Sequence, residues 1–500
     1  MPAVAEVAEP ATPPAEPVLV EPPAQPPTAR SPRVRWIALT VLCTGMLMIV
    51  LDGTVVNVAL PAIQHDLGFA QGDLAWVVNA YLISFAGLLL LAGRLGDLVS
   101  RRTVFLTGIS VFTVASLLCG LSWTSSMLVA ARFLQGVGGA MTSAVILGMI
   151  FTMFPEPREQ ARAIGVFAFV ASAGGAIGLL AGGALTQLTS WHLVFLVNLP
   201  IGIVTLFAAV RFVPRDQGTG FGAGLDVLGA GLVTAALMAG VYTIVKPAAE
   251  HGWTDGATLT GAAVTALLLA AFVWRQAKAT TPLLPLRIFR SRNVVGANLI
   301  QCLIVAGMFG LFFLGVLYLQ QVQGYDALHT GIAFLPLTAL MALVSVRYAE
   351  PLTTRFGPRP MLLASMTAIT IGLALWTRVP VEASYLTDIL PAALVLGLGA
   401  AAGAPAVMMY AMSGSSAQDA GVASGLINTS MQVGGAVGLA VLSSAATSRT
   451  RALSHGGVPD AAALTAGYHL GFMIAAGLVI TGIVIALLLL RDPAKSAPSA

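Results

Sequence analysis

Two residues in this chain combine a charge with surroundings that oppose one. Asp52 is the single charge in the twenty-five residues Trp36 to Leu60, and Arg132 is the single charge in the apolar stretch 126–153. Charged groups that deep in apolar sequence are expensive, so each marks a functional site by default. The chemistry open to them is proton binding and release, controlled by hydration and by how closely the two approach. Counted along helices, Arg132 lies six residues from Ser126, roughly 9 Å, and Asp52 lies nine from Pro61, roughly 13 Å. Similar depth and opposite sign predict that the two face each other. Gln135 and Gly136 share the arginine's helical face at i+3 and i+4, whereas Asn57, five residues past Asp52, points away and reads as a helix-packing amide.

Three further groups of residues carry possible roles. Asp97, Arg101 and Arg102 sit between two apolar runs, where charges and a helix end can pair in one conformation and part in another, as a gate requires. Gly174, Gly178 and Gly182 recur every four residues, with Gly183 beside them, which predicts close backbone contact and a smooth surface for one half of the molecule to move on the other. Asn79, Tyr81, Phe309, Phe312, Phe313, Tyr318, Met408 and Tyr410 lie in runs expected to line a central cavity, where aromatic and Met side chains suit variable apolar ligands.

The elements that position these residues follow from composition. Charged residues make up 9% of the 500 and hydrophobic ones 57%, against roughly 25% and 45–50% in soluble domains. This is the composition of a multi-pass helical membrane protein. Apolar runs long enough to cross about 30 Å of hydrocarbon fall near 36–60, 74–94, 103–122, 126–153, 163–186, 193–213, 225–245, 258–275, 294–318, 331–348, 360–377, 386–411, 421–445 and 468–490, which predicts fourteen helices. Residues 1–33, rich in Pro, Ala and Glu, read as a disordered cytoplasmic tail. Of the 25 Lys and Arg, 20 fall on the side of that tail and four (Lys246, Arg378, Arg449 and Arg451) on the other, with Arg132 within a span. The bias puts both chain ends in the cytoplasm, and it also accounts for the net charge of +4 without a nucleic-acid partner. Cys43, Cys119 and Cys302 lie far apart in apolar runs, so neither disulfides nor a metal site are expected.

Several stretches resemble motifs of the major facilitator superfamily, specifically its fourteen-helix drug/proton antiporter branch. They are Leu51 to Ile63 (LDGTVVNVALPAI), Trp76 to Leu82 (WVVNAYL), Gly93 to Arg102 (GRLGDLVSRR), Arg132 to Gly136 (RFLQG), Gly178 to Gly183, Ser190 to Gly202 (SWHLVFLVNLPIG), Pro282 to Asn293 and Gly421 to Gly438. The sequence departs from the pattern with Leu98 for a basic residue, Ser100 for Gly, and Leu179 for the Pro of the antiporter motif. Leu179 implies a straighter helix. Arg355 to Arg359 resembles the Asp97 loop a second time, with Thr354 in the acid's place, as an internally repeated transporter requires.

The resemblance implies an all-α integral membrane fold of two six-helix bundles, 34–215 and 294–491, an inserted helix pair at 216–275, a connector at 276–293 and a tail at 492–500. It further implies an exporter in the bacterial inner membrane that exchanges protons for lipophilic drugs or metabolites by alternating access. Such a protein works as a monomer among lipids, with the proton gradient in place of any cofactor. An uptake symporter on the same fold is the second reading. A membrane receptor or enzyme is the third; the spans contain no cluster of His, Asp and Glu and the chain no separate catalytic domain.

Overall fold

The computed structural model of the chain describes residues 32–70, 72–218, 220, 226–248, 252–413 and 420–491. Residues 1–31 and 492–500, where the two tails are expected, lie outside it. The first half contains α1 (Pro32–Leu67), α2 (Trp76–Leu98), α3 (Arg101–Gly120), α4 (Ser125–Met153), α5 (Pro157–Leu188), α6 (Trp191–Leu196) and α7 (Asn198–Phe212). α8 (Val227–Thr243) and α9 (Gly256–Lys278) form a hairpin. The second half contains α10 (Arg292–Gly310), α11 (Ala327–Arg347), α12 (Ala349–Phe356), α13 (Pro358–Trp376), α14 (Leu390–Met412), α15 (Ala420–His455) and α16 (Asp460–Leu489).

Helices dominate because apolar surroundings leave a backbone no water to bond, and an α-helix satisfies its own polar groups. Small polar side chains close the exposed helix starts: Ser100 accepts from Thr103 N, Thr124 from Met127 N, Ser291 from Val294 N and Asp326 from His329 N. Among the described residues, thirteen helical spans are long and apolar enough to cross a membrane. The fifth expected run is filled by α5, a continuous helix of 32 residues. The sixth is divided between α6 and α7, which meet at Val197 and count as one span.

The expected runs near 421–445 and 468–490 are exceeded, since α15 reaches His455 and α16 begins at Asp460. The excess is polar (SRTRALSH), and packing holds it: Thr450 donates to Ala463 O at 3.3 Å, and Gly467 lies against Thr450 and Ala446. Tertiary contact outweighs hydropathy at that end.

Two bundles result. α1 packs on α5, and α2 and α3 pack on α4; in the second half α13 packs on α14, and α10 on α15 and α16. The halves meet along two seams, α5 against α11 and α2 against α15. The hairpin rests on α2 through α8, while α9 presents Leu267 and Trp274, 70% and 61% exposed, to its surroundings. One end of the molecule carries the basic loops and is called the basic end below. At the opposite, charge-poor end, Gln320 donates to Val58 O at 3.0 Å and Gln321 to Gln64 Oε1 at 3.1 Å, tying the second half to α1.

Candidate functional site

Arg132 reaches Asp52 because α4 is pulled tight against its neighbours. A methyl on Gly138 would stand 2.5 Å from Phe112 N of α3, and one on Gly136 would collide with Tyr81 O of α2. With three backbones that close, the guanidinium is enclosed in the bundle interior.

There Arg132 Nη1 donates to Asp52 Oδ2 at 2.5 Å and to Gln135 Oε1 at 2.6 Å, while Nε donates to Val77 O at 2.8 Å. The guanidinium carbon lies 4.6 Å from the Tyr81 ring centroid and 5.7 Å from that of Phe195, so aromatic faces cover the cation. The other carboxylate oxygen, Asp52 Oδ1, accepts from Gln135 Nε2 at 2.7 Å and from Asn198 Nδ2 at 3.2 Å. Gln135 Nε2 also meets Ser116 Oγ at 2.8 Å. Asp52, Gln135, Asn198 and Ser116 are 0% exposed and Arg132 is 1%. A buried ion pair survives when hydrogen bonds also satisfy its remaining atoms, and these do, with two exceptions. Asn198 Oδ1 and the Tyr81 hydroxyl are buried without a partner among the described residues.

The paired charges and Gln135 stand where the sequence places them. Asn57 is also as expected, buried and bonded to Gly53 O of its own helix at 3.0 Å. Ser116, Phe195 and Asn198 were not foreseen as neighbours of the pair. Tyr81, expected in a ligand cavity, is the lid over Arg132.

At the basic end, Arg101 binds Asp97 Oδ1 through Nε at 3.1 Å and Nη2 at 2.9 Å and reaches Gly148 O on α4 at 3.1 Å. Arg102 Nη2 donates to Val210 O on α7 at 2.7 Å. The loop's unforeseen partner is Asp216, which accepts from Ser100 Oγ at 2.6 Å, Arg101 N at 2.7 Å and Arg102 N at 3.1 Å. A carboxylate on unpaired amides at a helix start is doubly favourable. In the matching loop of the second half, Gly357 turns the chain at φ +89°, and Arg359 Nη2 donates to Leu487 O at 3.0 Å.

The glycine face of α5 corrects an expectation. Gly174 faces Leu47 and Val50, Gly178 faces Thr54 and Leu51, and Gly182 faces Val55, all on α1 of the same half. Gly183 alone of the four touches the other half, at Ala327 and Leu328 of α11, and Gly331 answers it against Leu179. The repeat of four sets one face against α1, and a step of about 100° carries Gly183 to the seam.

The other expected cavity residues divide. Phe309 lies near Gly435 of α15, which Leu82 of α2 approaches as well, so it borders the seam. Phe312 is half-buried, 5.8 Å from the Phe334 ring. Phe313, Tyr318 and Tyr410 are buried, and Met408 is 39% exposed. Tyr318 is closed off from any cavity: its hydroxyl donates to Pro380 O at 2.5 Å, and Trp376 and Tyr468 pack edge-on against its ring. Asn79 is 0% exposed with neither amide atom bonded among the described residues. Asp226, at the head of α8, is buried: it accepts from Gly229 N, Arg275 Nε and Gln276 Nε2 and so pins α8 to α9. Among the described residues no three His, Cys, Asp or Glu side chains converge as metal ligands.

Comparison with known proteins agrees with the fold. Residues 42–439 match the family model described as Major Facilitator Superfamily. The chain is 38% identical over 473 residues to the puromycin resistance protein pur8 of Streptomyces alboniger, covering 93% of each. It is 39% identical over 409 residues to the cephamycin export protein CmcT of Amycolatopsis lactamdurans, covering 81% of this chain and 84% of that one. Among solved structures, a bacterial homologue of the human lysosomal transporter Spinster, inward-facing and unoccupied, superposes with a TM-score of 0.68 at 15% identity, covering 94% of this chain and 100% of the other.

Proposed function

From the premise that this chain belongs to the Major Facilitator Superfamily, we propose that it exports lipophilic drug or antibiotic molecules in exchange for inward-moving protons. It does so as a monomer in a bacterial inner membrane, with both termini in the cytoplasm. The names of its relatives, a puromycin resistance protein and a cephamycin export protein, support export as the direction. The observation that carries the proton is the sealed Asp52–Arg132 pair.

Asp52 is ionised while Arg132, Gln135 and Asn198 all donate to it. A proton added to that carboxylate removes the counter-charge and strands Arg132 as a buried cation. Breaking a buried pair costs about 3–5 kcal/mol, which is roughly a hundred- to several-thousand-fold in a two-state equilibrium. A conformation that hydrates Arg132 or gives it another acceptor relieves that cost, so proton binding and the change of access are coupled. One buried carboxylate balances one charge, so neutral and singly cationic substrates are favoured over dications. The Asp97–Arg101–Gly148 contacts hold the basic end of α2, α3 and α4 together and serve as the gate on that side.

Substrate-induced proton release in inverted vesicles is the test. Asp52→Asn keeps size and hydrogen bonding without titration; it is expected to insert and to release no protons when substrate is added. Release at the wild-type rate would place the coupling elsewhere.

A further inference from the structure

We infer that Asn198 is the positioning residue that reads the protonation state of Asp52, turning its side-chain amide from donor to acceptor when the proton arrives. The inference rests on the proton-coupling role given to Asp52 above. Two amides touch that carboxylate, and they differ in freedom. Gln135 is held at both ends, its oxygen by Arg132 Nη1 at 2.6 Å and its nitrogen by Asp52 at 2.7 Å and Ser116 at 2.8 Å. Asn198 makes one bond, from Nδ2 to Asp52 Oδ1 at 3.2 Å, and its Oδ1 is buried with no donor among the described residues. Only one of the two can turn without breaking a second contact.

The ionised carboxylate needs donors, and the protonated acid needs an acceptor for its new O–H. One O–H bond of hydronium in the aqueous phase breaks, leaving water, and the proton forms an O–H bond with a lone pair of Asp52 Oδ1, while the hydrogen bond from Asn198 Nδ2 is given up. Of the nearby acceptors, Gln135 Oε1 and Val77 O already receive Arg132. Asn198 Oδ1 is free. A half-turn about its Cβ–Cγ bond puts that oxygen where the amide nitrogen stood, and the O–H donates to it. Before the turn an acceptor is unpartnered, and after it a donor, so the exchange leaves one buried group unmatched in either state. Oδ1 keeps the bond from Gln135 and Oδ2 the one from Arg132, so the proton is accepted before the ion pair parts.

The titratable groups facing Asp52 are Arg132 on α4, Tyr81 on α2 and Cys119 on α3. On α6, His192 is engaged by Ser190, and Asp66 of α1 takes Trp191 Nε1, both toward the charge-poor end; on α5, Arg158, Glu159 and Arg162 lie at the basic end. Asn198 is thus the sole contribution of α7 to the carboxylate, and it carries no charge of its own.

Infrared difference spectra of the full-length protein in vesicles, recorded on acidification with asparagine side chains isotopically labelled, read the turn directly. A carboxylic-acid carbonyl band that is absent in Asp52→Asn is expected to appear together with a downshifted asparagine carbonyl band that is absent in Asn198→Leu. An Asp52-dependent acid band with no Asn198-dependent partner overturns the inference and leaves the coupling role intact; absence of any Asp52-dependent acid band overturns both. Efflux driven by an imposed pH gradient gives a second reading. Charge-assisted bonds are stronger than neutral ones, so losing Asn198 harms the ionised acid more, and the midpoint in Asn198→Leu should rise by about half to one pH unit. Asn198→Ser, whose hydroxyl both donates and accepts, should return it. A lowered yield with an unmoved midpoint would show that the residue only fills space.

Discussion

Gly183 is where one methyl group should change the conformational balance of the whole transporter. In Gly183→Ala the new carbon would stand 2.5 Å from Ala327 O and 2.9 Å from Leu328 Cα, both backbone atoms of α11, whereas ordinary contact begins at 3.4 Å. Neither atom can turn aside as a flexible side chain would, so α5 and α11 must part by roughly 1 Å, in an interior packed too densely to absorb it. Overpacking of this kind costs about 1–3 kcal/mol. The cost falls only on the state in which the halves touch at the charge-poor end, so the closed-to-open ratio there should drop by roughly 5- to 150-fold. Gly331→Ala, which meets Leu179 O at 2.6 Å across the same seam, should act alike. Gly182→Ala is the control, because its methyl meets Val55 O at 2.8 Å within the first half; it should lower stability without biasing access. Spin labels at Leu188 and Ile332, both exposed side chains near this seam, would report the separation. Longer distances in both seam variants, with wild-type distances in the control, are expected alongside impaired efflux. A folded Gly183→Ala protein with a wild-type distance distribution would refute the reasoning.

Arg132→Ala leaves Asp52 buried without its counter-charge and should lose about 3–5 kcal/mol of stability together with coupled efflux; Arg132→Lys keeps the charge but not the fork that serves Asp52, Gln135 and Val77 at once, so partial efflux at reduced melting temperature is expected. At the head of α8, burial opposes the charge of Asp226, but the Gly229 amide, Arg275 and Gln276 outweigh it and hold the carboxyl below its ordinary 3.8. A lowered folded-state value means that this stabilisation is complete above the unfolded value and lost as acid protonates the folded group. Docking of α9 on α8, followed by proteolysis, should therefore be flat from about pH 8 to 5 and weaken only below about pH 4, and Asp226→Asn should remove that acid step. For orientation, a cysteine at Trp123, 77% exposed in the α3–α4 loop, should react with impermeant reagent outside intact cells, and one at Ala277 near the end of α9 should not; labelling at Ala277 would reverse the assignment.

The pair at the centre was legible because a charge in an apolar run carries its own signal. Helical rise gave each residue a depth, matched depths made contact between opposite charges the favourable arrangement, and a spacing of three added Gln135. Neutral polar residues give no such signal. Ser116 and Asn198 sit in runs where hydroxyls and amides are tolerated at many depths, and nothing local separates Asn198 from Asn57, which spends its amide on its own helix. Asn198 meets Asp52 across 146 residues, through a helix crossing that sequence periodicity does not encode. Asp216 was hidden for a related reason: its capping of α3 joins a loop to a helix start 115 residues away.

The glycines show where periodicity stops being informative. A spacing of four establishes that Gly174, Gly178 and Gly182 share a face; which helix that face meets depends on α5 lying between α1 and α11, touching the first half on one side and the second on the other. Leu179 and Gly183, again four apart and one step round the helix, both meet the second half. Leu179 occupies the position where the family pattern has a proline, which would remove the bond to Gly175 O and kink the turn before residue 179. In the continuous α5, the backbone oxygen of Leu179 meets Gly331 and the open side of Gly183 meets Ala327, so contact runs over two successive turns. Movement of the halves at the charge-poor end must therefore release both turns together.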